Sequence, residues 1–96
     1  MLDDGKVASK QIREELVARI VDSPLFERAP RLRSFLTFIC SEAENGRGGH
    51  LSEQVIGEKV FGRDSGYSTA DDTIVRVTAR AVRDRLRAYF EGPGAK

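Results

Sequence analysis

The chain has 96 residues, 40% hydrophobic and 32% charged, with a formal net charge of +1. That length holds one compact core, and the near-neutral balance excludes a uniformly basic polyanion binder but not a protein with one basic stripe. No apolar run is long enough for a membrane span, the polar start Met1-Leu2-Asp3-Asp4-Gly5-Lys6 does not read as a secretory signal, and the lone Cys40 allows neither an intrachain disulfide nor a cysteine zinc site, so the expected setting is the cytoplasm.

Residues 1–8 read as a flexible lead-in, 9–92 as the folded domain and 93–96 as a flexible tail. A first helix is predicted from near Ser9, with Ile12, Leu16, Val17, Ile20 and Val21 on one apolar stripe. Asp22-Ser23-Pro24 stops it, because proline disfavours helical geometry in the residue before it. Leu25 and Phe26 are expected to form a short helical turn that plugs the core. Pro30 suits the first turn of a second helix, whose Leu32, Phe35, Leu36, Ile39, Cys40 and Ala43 share one side, with Phe38 broadening it. Asn45-Gly46 ends that helix.

Ser52 is the predicted N-cap of a short third helix, with Val55, Ile56, Val60 and Phe61 inward and Gly62 at its close. A polar loop from Arg63 to about Asp71 leads to a fourth helix, opened by Asp71-Asp72-Thr73 and stopped at Gly92-Pro93-Gly94. No alternating strand pattern and no internal repeat is found. The expected class is all-α, a compact four-helix domain with a helix-turn-helix-like core.

The fourth helix carries the strongest functional signal. On a wheel of about 100° per residue, Ile74, Val75, Thr78, Val82, Leu86 and Tyr89 fall in one sector. Arg76, Arg80, Arg83 and Arg87 fall together opposite, and residues 74–90 hold five arginines against one acid, Asp84. A guanidinium grips two phosphate oxygens, or O6 and N7 of guanine, in two parallel hydrogen bonds. Such a ridge suits the major groove, with Thr73 and Thr78 adding weaker contacts near the helix start. The same stripe is also what the solvated face of an amphipathic helix looks like. Arg85 projects into the apolar sector and is expected to snorkel or pair with an acid. Arg63 is placed to reach a phosphate, and Arg31 and Arg33 read either as phosphate clamps or as surface charges.

Other residues tempt less. His50 is the only histidine and lacks companions for a metal site, so a loop surface position is expected. Cys40 reads as a buried, inert thiol. Tyr67 packs as a lid on the core or stacks near a phosphate. Gly57, inside the third helix, implies close approach of another helix or of DNA backbone. No catalytic set, metal, cofactor or small-molecule site is expected, so the chain does not read as an enzyme.

The segment Leu51–Arg63, the polar loop and then Asp72–Phe90 resemble the DNA-binding domains of winged-helix response regulators of the OmpR/PhoB and ToxR/CadC type. Val77, Arg83, Leu86 and Arg87 echo their recognition helix. A closer resemblance is to a bacterial domain found at the N-terminus of larger proteins, often ahead of a membrane span and tetratricopeptide repeats. Ser23-Pro24-Leu25-Phe26, Arg31-Leu32-Arg33-Ser34-Phe35-Leu36, Ile56-Gly57, Val60-Phe61-Gly62-Arg63 and Ile74-Val75-Arg76-Val77 with Ala79-Arg80 carry it. The resemblance covers about residues 12–92 and implies a bacterial transcriptional regulator's module binding double-stranded DNA. The β-hairpin wing that follows the recognition helix in such regulators is expected to be absent or truncated here, and a second copy is expected to cover what it leaves, giving a homodimer. A protein-interaction or dimerisation module of the same fold is the competing expectation.

Overall fold

The computed structural model describes residues 4–46, 49 and 51–92, with residues 4–10 as backbone. Four helices run in order: α1 (Asp4–Val21), α2 (Pro30–Glu44), α3 (Glu53–Phe61) and α4 (Ile74–Glu91). No strand occurs among the described residues, and the all-α class expected from the periodicity is the class observed. His50 and the tail 93–96 lie outside the described residues.

α1 begins at Asp4 rather than near Ser9, so the lead-in expected at 1–8 is helical from Asp4 onward. Lys6, Ala8, Lys10 and Gln11 favour helix and no proline intervenes, so a single glycine, worth about 1 kcal/mol against helix, does not stop it. The buried stripe is correspondingly shorter than the sequence pattern: Ile20 and Val21 are buried, Leu16 and Val17 half-buried, and Ile12 is 62% exposed. The N-terminal half of α1 runs past the core.

The last carbonyls of α1 are taken up locally and from afar. Ser23 donates its hydroxyl to the Ile20 carbonyl at 2.6 Å, and Arg33 of α2 donates to the Val21 carbonyl at 2.6 Å. The chain then turns through Pro24 to Arg28, and Phe26, 0% exposed, fills the centre of the domain as expected. Pro30 opens α2, where its missing N–H leaves nothing unsatisfied. α2 packs against each of the other three helices. Its Leu32, Phe35 and Leu36 meet Ile56 of α3 and Val75, Val82 and Tyr89 of α4 in one buried cluster. Phe35 and Phe61 stack with ring centroids 6.5 Å apart. Ala43, assigned to the same side by periodicity, is exposed near the helix end.

The domain measures 45 × 35 × 16 Å. An apolar groove of about 700 Å³ opens between α1, α2 and the C-terminal end of α4, lined by Leu16, Val17, Leu36, Cys40, Leu86 and Phe90. Burial, then the nearby Glu44 carboxylate, pushes the Cys40 thiol up, which holds it as a neutral thiol. Among the described residues no helix is long and apolar enough to cross a membrane.

Candidate nucleic-acid interface

The position of α4 is fixed by how the preceding loop is tied to α3. Ser52 caps α3 as expected, its hydroxyl accepting from the Val55 N–H at 3.2 Å. Gly62 ends α3 at φ 65°, a left-handed conformation that glycine adopts without strain, and Arg63 N–H reaches back to the Gly57 carbonyl at 3.1 Å. The loop then folds onto α3. Gly66 N–H donates to Glu58 at 3.2 Å, Gln54 donates to the Tyr67 carbonyl at 3.1 Å, and the Tyr67 hydroxyl donates to the Glu53 carbonyl at 3.2 Å.

The Tyr67 ring occupies the space a side chain at residue 57 would need, so the glycine makes room for the loop rather than for another helix or for DNA. Tyr67 therefore packs as a lid. Burial, then the Glu53 carboxylate, pushes its phenol above the usual range and keeps it neutral.

Asp72 closes the loop. One carboxylate oxygen accepts from Arg63 at 2.7 Å and the other from the Ile74 N–H at 3.1 Å, the first free donor of α4. The Arg63 guanidinium, then the Ile74 bond, holds the Asp72 carboxyl below the usual carboxylate range. Thr73 occupies the cap position itself, yet its side chain makes no cap bond and stays exposed.

α4 divides as the wheel implies. Val75, Thr78, Val82 and Tyr89 are buried, so Thr78, expected to add a DNA contact, faces the core instead; Arg76, Arg80, Arg83 and Arg87 are exposed. The ridge from Arg76 to Arg87 spans roughly 16 Å at about 1.5 Å per residue. Its members differ in their ties. Arg76 donates to Glu53 at 3.1 Å and to the Thr69 carbonyl at 2.6 Å, which pins the ridge's first guanidinium to α3 and the loop. Arg80, Arg83 and Arg87 have no hydrogen-bond or ion-pair partner among the described residues.

The remaining predicted arginines hold the fold as well as carrying charge. Arg33 binds the end of α1 and lies 3.4 Å from Asp22. Arg63 donates to Asp72 and to the Phe61 carbonyl, which commits most of its fork inside the chain. Arg31 stands over the Phe61 ring at 6.0 Å from the centroid, a cation–π arrangement that keeps it exposed. Arg85 is paired, as expected, but with the Leu25 backbone carbonyl rather than an acid.

Asp72 caps the start of α4 as expected, accepting from the Ile74 N–H, but its tie to Arg63 and the role of Glu53 in holding Arg76 were not foreseen from the sequence pattern. An acid at or just before a helix start reads as a cap, and its arginine partner at a distance leaves no periodic trace. Val77, which echoes the recognition helix of winged-helix regulators, is 61% exposed on an otherwise polar face. Comparison of this chain with family models, with curated proteins and with solved structures finds no match.

Proposed function

We propose that the chain is a DNA-binding module of a bacterial transcriptional regulator, seated with α4 in the major groove. One observation carries this reading: Arg80, Arg83 and Arg87 stand exposed along one edge of α4 without partners among the described residues, while the opposite face is held in the core. A helix fits the major groove, and unpaired guanidinium groups bring neutralising charge to phosphates without first breaking bonds of their own. Arg76 and Arg31 supply flanking charge, and Arg33 and Arg63 act chiefly by keeping α1 and the loop in place. The module acts by binding rather than catalysis, in the cytoplasm where the DNA lies.

The direct test is selection of bound duplexes from a random pool, with an Arg80→Ala, Arg83→Ala double variant as control. An enriched sequence that the variant no longer retains supports the reading. Failure of the wild-type chain to shift any duplex at low salt rejects it.

Self-association is a second reading, and the groove between α1, α2 and α4 favours it. Phe90, 50% exposed, lies at this groove, and Ile12 continues the α1 stripe beyond it. An apolar hollow and an apolar knob on one face suit a twofold pairing of two copies, each residue meeting its counterpart's neighbour. Sedimentation equilibrium of the wild type and Phe90→Asp decides it: a dimer that the variant dissociates is expected, and a wild-type monomer at millimolar concentration excludes it.

A further inference from the structure

Val77 has no packing role in the fold. It is the fourth residue of α4 and 61% exposed, although Val75, Thr78 and Val82 around it are buried. Valine is a poorer helix former than alanine or arginine, so an exposed helical site gives it no advantage of its own. On the wheel it lies one turn after Thr73 and one turn before Arg80, with Asp84 following, and all four are exposed. This strip runs beside the ridge formed by Arg76, Arg83 and Arg87.

A helix in the major groove turns a narrow strip toward the base edges and its flanks toward the phosphates. Of the groups that bases present there, the C5 methyl of thymine is the apolar one. We infer that Val77 is a specificity-determining residue that packs on a thymine methyl, while Arg80 takes O6 and N7 of guanine in the neighbouring base pair. The spacing suits this: Val77 and Arg80 are separated by about 4.5 Å of helix rise, against about 3.4 Å between successive bases on a strand. The target is duplex DNA carrying thymine beside guanine. The inference rests on the reading of α4 as the helix that enters the groove.

The test uses the selected duplex and replaces each thymine in turn by deoxyuridine, which lacks only the C5 methyl. Wild-type protein is expected to lose about fourfold in affinity at one position, the worth of a single methyl group removed from water. Val77→Ala, with helicity unchanged, is expected to bind the thymine and deoxyuridine duplexes alike. Equal wild-type affinity for both duplexes at every position, with salt-dependent binding intact, overturns the inference and leaves DNA binding by α4 standing. A methyl dependence that Val77→Ala retains overturns it too. Absence of binding to any duplex at low salt overturns both.

Discussion

The ring of Tyr67 stands where a side chain on Gly57 would have to go. Glycine inside a helix normally costs about 1 kcal/mol against alanine, so the usual expectation for Gly57→Ala is a gain in stability. Here the opposite is expected. The added methyl group displaces Tyr67 and breaks its bonds to Glu53 and Gln54, at a cost of about 1–3 kcal/mol. Urea unfolding of Gly57→Ala, Tyr67→Ala and the double variant measures this. The double variant should lose less than the two single losses added together.

The Arg63–Asp72 pair gives a defined acid dependence. Because the folded protein holds the Asp72 carboxyl below its ordinary range, the native state binds fewer protons there than the unfolded chain. Its contribution is fully present above the unfolded carboxylate value, about 3.9, and is lost as pH falls through the lower folded value. The urea midpoint of Asp72→Asn is expected to fall less steeply below about pH 4 than that of the wild type. Parallel acid limbs in the two proteins would show that the pair contributes nothing.

Arg33 and Arg80 are both arginines predicted to meet DNA, and the fold separates them. Arg33→Ala removes the donor from the Val21 carbonyl and is expected to cost about 1–2 kcal/mol of stability, with the salt slope of DNA binding unchanged. Arg80→Ala is expected to leave the unfolding free energy within about 0.5 kcal/mol of the wild type, as an exposed substitution should. Denaturation and binding measured on both variants check the two halves together.

Phe26 is the most deeply buried large side chain, supplied by the turn between α1 and α2. Phe26→Ala is expected to lose about 3–5 kcal/mol, a large share of a small domain's stability. Thermal unfolding followed by circular dichroism should show the midpoint collapse. A loss below about 1 kcal/mol would mean that the turn is not part of the core.

Local chemistry was legible in the sequence where the signal is local. Ser52, Gly62 and Pro30 mark helix ends because capping depends on groups one to four residues away, and all three sit where expected. The buried face of α4 followed from its period. What stayed hidden depends on residues brought together from a distance. Arg33 meets Val21 across 12 positions, Arg76 meets Glu53 across 23, and Arg85 meets Leu25 across 60. A wheel gives the direction of a side chain but not what stands opposite. For the same reason Ile12 looked like a core residue: its position on the stripe is right, but the core ends before reaching it. Gly57 showed that something approaches closely without showing that it is Tyr67.

The salt dependence of DNA binding, followed by fluorescence anisotropy on a labelled duplex, bears most directly on the free edge of α4. For each phosphate neutralised, the log–log slope should steepen by about 0.9. The Arg80→Ala, Arg83→Ala double variant, equal to the wild type in helix content, should bind far more weakly, through the lost base contact of Arg80, and with a slope shallower by about 0.9, for the phosphate that Arg83 neutralises. Wild-type and variant curves that coincide would mean that these guanidinium groups do not meet DNA.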